Sequence, residues 1–437
     1  MVSIGSSTMG VARAMLITSS SAAEIPAQDQ VTDVQRASCC IVGGGPAGAM
    51  LALLLARNNV PVTLLEVHKD FDREFRGDTI HPSTLEILDQ IGLAAPLHQL
   101  RHSKVTGPTL QFPGGAVKPF DLSRLKTKFP YIMMVPQSQF LEFITRQAAK
   151  YPAFRLIMHA NVKKLVEEER IVRGVRYLGP NDAWHEIRAP LTVGADGRFS
   201  QLRQLAGLRL IKTSPPMDVL WFRLPRLPHD LDLPGGLLGG IGPGRLLVVL
   251  DRADYWQTGL VFPKGHYQEL RAQGVDAIRK VIAEIEPGLA KNAEALTDWQ
   301  QFSLLSVESS RCPVWHKPGL LLIGDAAHVM SPVGGVGINY AIQDAVVACN
   351  VLANSLKSGK VAESDLAEVQ RQRTFPTKAI QKMQSFMQRR LVASVLGSQA
   401  ATNIPWQLRV FARIPWLRDL PPRLIAFGFR RVRLAEP

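Results

Sequence analysis

At 437 residues with 46% hydrophobic content, the chain can bury a large core and suits two domains plus an appendage. Its four cysteines, Cys39, Cys40, Cys312 and Cys349, show no Cys-x-x-Cys spacing and no His/Cys cluster, which argues for small buried hydrophobes in a reducing compartment and against structural zinc. No uninterrupted apolar run reaches the roughly 18 residues of a spanning helix, and of the formal charge of +14, half lies after Ser385, where nine arginines face only Asp419 and Glu436.

In chain order, residues 1–37 are rich in Ser, Ala, Thr and Gln, and their apolar stretch from Val11 to Ile17 is short and broken by Arg13. A secretory signal needs a longer apolar core and a positive leader. The segment therefore reads as a disordered extension or an over-long start, with Met9 and Met15 as alternatives. Cys39-Cys40-Ile41-Val42 then reads as a buried strand that turns through Gly43-Gly44-Gly45-Pro46-Ala47-Gly48 into a helix over Ala49–Arg57. Gly43 permits the turn, Gly45 lets backbone N–H groups approach a pyrophosphate, and Gly48 allows close helix packing. Pro61–Leu65 forms the next strand, and Glu66 at its end is placed to accept hydrogen bonds from a ribose. This motif marks a dinucleotide site without separating NAD, NADP and FAD.

A second motif runs through Val193-Gly194-Ala195-Asp196-Gly197-Arg198 to Ser200 and Arg203. Taken alone it is also an ordinary strand-to-helix turn in which Asp196 and Ser200 satisfy backbone donors. A third begins with the apolar run Gly319–Ile323, ends at Gly324-Asp325, and leads through His328 into Ser331-Pro332-Val333-Gly334-Gly335-Val336-Gly337-Ile338-Asn339. Between the motifs, Leu110–Phe120 and Val219–Pro263 hold alternating or apolar runs punctuated by Gly and Pro, the pattern of a β-rich layer.

The three motifs together resemble the single-component FAD-dependent aromatic hydroxylases, the family of para-hydroxybenzoate hydroxylase. The resemblance implies an α/β fold: a Rossmann-like FAD-binding domain of the glutathione-reductase type, a β-sheet substrate domain and a C-terminal helical segment. On this reading the FAD domain is discontinuous over 38–101, 131–210 and 319–356, the substrate domain spans 102–130 and 211–318, and 357–437 is helical and basic. The resemblance further implies that Asp325 holds the ribityl chain. The turn through Pro332, Gly335, Gly337, Ile338 and Asn339 would lay backbone amides against the flavin ring at a helix N-terminus, where negative charge on reduced flavin is favoured. Asp196 supports flavin and the approach of NADH or NADPH, Arg76 and Gln137 match positions of further cofactor contacts, and Val162 presents backbone to the adenine.

The activity implied is reduction of FAD by NADPH or NADH, followed by transfer of the distal oxygen of a flavin C4a-hydroperoxide, formed with O₂, to a small lipophilic aromatic, polyketide or quinone-like substrate. With one convincing Gly-x-Gly-x-x-Gly site, the nicotinamide must share a groove and leave. His81 is the candidate acid–base residue because histidine titrates in the useful range; a bare helix-start role before Pro82 is the alternative. Trp221, Arg223, Tyr255 and Trp256 are candidates for lining the pocket or packing the core. A geranylgeranyl-type lipid reductase is a second reading, and a flavin-dependent halogenase is disfavoured by the lack of a tryptophan-rich motif and relay lysine. The flavin motifs leave nucleic-acid binding little support. A cytoplasmic protein is expected, and the arginines interleaved with Trp406, Phe411, Trp416, Phe427 and Phe429 suit either a helical cap or contact with an anionic membrane.

Overall fold

In the computed structural model, the described residues are 31–72, 78–112, 115–118, 121–213, 215–228, 230, 233, 235–242, 244–391 and 419–435. Arg76, residues 1–30 and the run from 392 to 418 lie outside them.

Four short strands, Cys39–Val42, Val62–Leu65, Leu191–Gly194 and Leu320–Leu322, are buried along almost their whole length. A strand apolar on both faces can be covered only in the middle of a sandwich, and these four pair in parallel inside a six-stranded sheet. Phe154–Ile157 closes one edge in parallel, and His316–Lys317 closes the other antiparallel. Side chains alternate across the sheet, so Cys39 and Ile41 join one core with the helices Pro46–Arg57 and Gly337–Lys357, while Cys40 and Val42 join a second with Val172, Val175 and Ile187. The adjacent cysteines thus face opposite layers, and all four are free and buried.

The second core lies beneath a four-stranded sheet made of Val31–Arg36, Trp184–Arg188, Ile171–Leu178 and Asn161–Glu168. Here the sequence boundary is corrected: Val31–Arg36, read as part of a disordered extension, pairs in parallel with Trp184–Arg188. Its sequence VTDVQR is polar and largely exposed, so backbone pairing along a sheet edge, invisible to hydrophobic periodicity, orders it.

The β-rich middle of the chain forms a seven-stranded sheet. Its strands include Met217–Pro225, Gly236–Gly242, Arg245–Asp251 and Tyr255–Pro263, joined at one edge by Gly107–Phe112 and Gly115–Val117. One face, with Leu220, Phe222, Leu224, Trp256 and Leu260, is covered by residues of the helix Gly274–Ile285 such as Ile278 and Ile282. The other face carries Met217, Val219, Trp221, Ile241, Leu246 and Val261 and packs against Val333 of the third motif.

After the Gly337–Lys357 helix the chain runs through a 29-residue helix, Glu363–Leu391, and the described part ends in the helix Leu420–Phe427 with a trailing strap. The strap returns to the first domain: Arg431 pairs with Glu86, Val432 enters the main core, and the Leu434 amide donates to Gln90 Oε1. Among the described residues no helix is long and apolar enough to cross a membrane, and no group of His, Cys, Asp and Glu could hold a metal.

Gly319 locks the parallel sheet to the four-stranded one. It has φ +76°, and a Cβ there would stand 2.0 Å from the Val172 carbonyl oxygen. Gly319→Ala is expected to destabilise the protein by at least about 2 kcal/mol in denaturant unfolding.

Candidate active site

The first turn is built by steric exclusion. A Cβ on Gly43, whose φ is +104°, would meet the Ala195 carbonyl at 2.4 Å, and one on Gly48 would meet the Gly43 carbonyl at 2.0 Å. Gly45 is the N-cap of the Pro46–Arg57 helix and faces open space, with Pro46 supplying a first helical residue that has no N–H to leave unpaired. The result is an unobstructed helix N-terminus with a narrow floor. Glu66 is buried at the end of its strand, where Oε2 accepts from the Gly44 amide at 2.8 Å and Oε1 from the His68 amide at 3.0 Å. Its carboxylate braces the Gly43–Gly45 turn from within the chain.

The second and third motifs converge on the first. A Cβ on Gly324 would stand 3.0 Å from the Ala47 methyl and 3.4 Å from that of Ala341, so the Gly324–Asp325 turn is wedged between the two helices. Asp196 Oδ1 accepts from the Ser200 hydroxyl at 2.6 Å and Oδ2 from the Leu202 amide at 3.0 Å. Burial nevertheless raises its carboxyl above the usual range, against those hydrogen bonds. Arg203, buried, donates to the Ala326 carbonyl and joins the second motif to the third.

Beneath Gly324 lies a charged cluster for which the sequence carried no signal. Asp344 on the Gly337–Lys357 helix accepts from the Gly324 amide at 3.0 Å, pairs with His328 Nε2 at 2.6 Å, and accepts from Arg373 Nε at 2.7 Å. All three side chains are essentially inaccessible. Burial alone would raise the Asp344 carboxyl, but His328 and Arg373 hold it below its ordinary value.

The turn before Gly337 is left-handed at Gly334 and Gly335, with φ of +82° and +62°. Thr79 fixes it by donating to the Gly335 carbonyl at 2.7 Å, and a Cβ on Gly335 would meet that hydroxyl at 2.9 Å. Asn339, in the first turn of the helix, accepts from the His81 amide at 2.9 Å and the Thr84 hydroxyl at 2.7 Å. Gly337 opens that helix and Ile338 is buried behind it. Pro332 lies at the start of the turn, where its carbonyl accepts from the Gly335 amide at 3.0 Å. Gln137 begins the Gln137–Ala148 helix with its amide on Asp78, and Val162 is buried in a strand of the second core. Arg76 lies outside the described residues.

Residues 36–382 match the family model described as an FAD binding domain. The chain belongs to this family of FAD-dependent monooxygenases. Among its relatives, 6-methylpretetramide 4-monooxygenase of Streptomyces rimosus is 33% identical over 94% of this chain and 95% of that protein. A 12-dehydrotetracycline 5-monooxygenase/anhydrotetracycline 6-monooxygenase of the same species is 28% identical over 70% of this chain and 60% of its own length. The structure of the anhydrotetracycline hydroxylase OxyS, also from Streptomyces rimosus, superposes with a TM-score of 0.71 at 23% identity, covering 90% of this chain and 76% of that one.

The cradle of this flavoprotein fits FAD. An open helix N-terminus at Gly45, a carboxylate at Asp325 and a left-handed turn at Gly334–Gly335, exposed at Gly334, suit pyrophosphate, ribityl and ring in turn. Of the pocket candidates, Trp221 faces Val333, whereas Trp256 turns to the opposite face of the sheet, where its indole donates to Asp230. Strand alternation separates them, and packing explains Trp256.

His81, the acid–base candidate, caps the Pro82–Gln90 helix and is wholly buried. Its Nδ1 lies 2.7 Å from the Ile425 carbonyl of the C-terminal helix, and Nε2 makes no well-formed hydrogen bond. Burial lowers its pKa to about 4, against the Ile425 and Gly335 carbonyls, which favour the charged ring. A neutral imidazole donating to Ile425 and walled off by that helix matches the helix-start role.

Two outcomes follow from these buried groups. Because the folded His81 resists protonation until about pH 4 while an unfolded one titrates near 6.5, the unfolded chain binds more protons in that window. Stability is therefore fully present above pH 6.5 and drops by about 2 kcal/mol between pH 7 and 5, a slope that urea titrations should show and His81→Gln should flatten. Asp344→Asn removes the charge facing Arg373 and is expected to cost ~3–5 kcal/mol in the same assay.

Proposed function

We propose that this monooxygenase uses NADH or NADPH to reduce its FAD and inserts one oxygen atom of O₂ into a fused-ring aromatic polyketide or a closely similar lipophilic aromatic compound. Bound FAD would supply the chemistry: it takes a hydride from the nicotinamide, activates O₂, and delivers one oxygen atom while the other leaves as water. The protein's share is to bind, orient and keep water out.

The observation that carries the reading is the apolar face of Met217, Val219, Trp221, Ile241, Leu246 and Val261, which meets Val333 of the flavin turn directly. A flat, apolar, multi-ring substrate lying against that face would be held beside the ring edge with water excluded. The tetracycline-type names of the relatives support a substrate of this shape. At one end of the same face, Gln257 Oε1 and Arg252 Nη1 are buried without hydrogen-bond partners among the described residues, and Arg252 pairs with Asp78 at 3.1 Å. These groups offer an acceptor and a donor to substrate hydroxyl or carbonyl oxygens, which would fix its orientation. Since His81 is sealed, proton transfer is left to the substrate's own ionisable oxygens, which Gln257 and Arg252 would hydrogen-bond. The basic, aromatic surface of the last segments, where exposed Phe375 and Phe386 accompany Arg390, would also suit an anionic membrane as a source of lipophilic substrate.

The test begins with the absorbance of the purified protein followed anaerobically on addition of NADH or NADPH, then with ¹⁸O₂ and a fused-ring phenolic substrate. Bleaching by one nicotinamide and a product that gains one ¹⁸O support the reading. Bleaching only by a separate reductase, or saturation of an alkene with no O₂ consumed, overturns it in favour of the halogenase or lipid-reductase chemistry. Asp325→Ala is expected to weaken FAD binding at least about tenfold, roughly the loss of one charge-assisted hydrogen bond, and unchanged stoichiometric FAD would contradict the assignment of the site.

A further inference from the structure

The Glu363–Leu391 helix buries a polar stripe. Arg373, Thr377, Gln381, Gln384 and Gln388 recur at helical spacing, and none is more than 5% exposed. Buried polar side chains are costly unless hydrogen-bonded, so their partners show what the stripe is for. Arg373 goes to Asp344. Gln381 donates from one amide nitrogen to the Ser310 carbonyl at 2.9 Å and the Val329 carbonyl at 3.0 Å. Gln384 donates to the Ser331 carbonyl at 2.9 Å and the Val333 carbonyl at 2.7 Å, and Gln388 donates to the Ser331 hydroxyl.

Only the NH₂ end of an amide can serve two carbonyl oxygens, so the orientation of Gln384 is determined. Its Oε1 is left buried without a partner among the described residues. In a trans peptide the C=O and N–H point in opposite directions. Drawing the Val333 carbonyl onto the helix therefore turns the Gly334 N–H away from it. Thr79, by holding the Gly335 carbonyl, does the same to the Val336 N–H from the other side. Between these two anchored peptides Gly334 and Gly335 are left-handed, so the turn is specified by what grips its carbonyls.

We propose that Gln384, with Gln388 behind it, is a positioning residue for the flavin: together with Thr79 it aims the Gly334 and Val336 N–H groups at the ring and so favours its reduced, negatively charged form over the oxidised one. The inference rests on the placement of the ring at this turn, proposed above. Gln384 does not itself touch the cofactor in this scheme, since it lies on the far side of the peptide it orients.

The experiment compares FAD-loaded wild type, Gln384→Met, Gln381→Met and Gly335→Ala by midpoint potential, by the absorbance spectrum of the bound flavin and by thermal stability. Methionine keeps the length of the side chain and removes the amide. Gln384→Met is expected to weaken binding of reduced relative to oxidised FAD about tenfold, a fall of ~30 mV for a two-electron couple, with a shifted spectrum. Gln381→Met loses two equivalent hydrogen bonds to carbonyls outside the turn and the longer one that its Oε1 accepts from Arg311, and is expected to lower stability at least comparably while leaving potential and spectrum unchanged. The proposal is overturned if Gln384→Met keeps the wild-type potential and spectrum, or if Gln381→Met shifts them equally, because the effect would then be general loosening. Should Gln384→Met not fold, Gln388→Met carries the same expectation in weaker form, and an unshifted potential there overturns the proposal. If Gly335→Ala also leaves FAD affinity and spectrum untouched, the placement of the ring falls; a response to Gly335→Ala alone keeps the placement and sinks the role of Gln384.

Discussion

A single buried carboxylate organises the cofactor half of this molecule. Asp344 projects from the Gly337–Lys357 helix to the Gly324 amide, His328 and Arg373, which belong to three other segments. In a site closed to water, each hydrogen bond to an ionised group is stronger than its neutral counterpart, and each is costly to leave unmade. The turn that carries Asp325, the strand through His328 and the Glu363–Leu391 helix are therefore held in one geometry by one charge. Arg373 matters as much as Asp344, because neither charge is tolerable there without the other.

From that anchor the rest of the cradle follows by short steps. Fixing Gly324 presses it between Ala47 and Ala341, which sets the phosphate turn against the flavin turn. Arg203 carries the connection to the second motif, and Thr79 and Asn339 carry it to the segment that begins the Pro82–Gln90 helix. The Leu420–Phe427 helix closes over His81 and packs with Leu122 and Met134, so the last described residues join the two halves of the protein. The apolar face of the seven-stranded sheet packs against Val333 and so meets this arrangement from the other side.

The family, its cofactor and the main strands and helices of the parallel sheet were legible in the sequence, because glycines at Gly43, Gly48 and Gly324 answer to strict steric demands and buried strands read as unbroken apolar runs. The β-rich character of the middle of the chain was legible in its alternating and apolar runs, whereas the helix Gly274–Ile285 that covers it was not. The polar strand Val31–Arg36 was not, since its order comes from edge pairing with a strand some 150 residues away. Nor were the roles of the aromatics: Trp221 and Trp256 look alike in sequence, and only the phase of their strands sends one toward the flavin turn and the other into packing.

What the sequence by itself determined is thus the local chemistry of turns: where the backbone must approach a phosphate, where φ must be positive, which runs must be buried on both faces. Only the tertiary structure decided which side chains act. It sealed His81 in a helix cap, put a Glu66 oxygen on the Gly44 amide, and tied Asp344, Arg373 and Gln384 into the Gly324 and Ser331–Val333 segments. The physical reason is that steric constraints on a turn are written within a few neighbouring residues. The worth of a buried polar group depends on partners that the chain brings together from tens to hundreds of residues away.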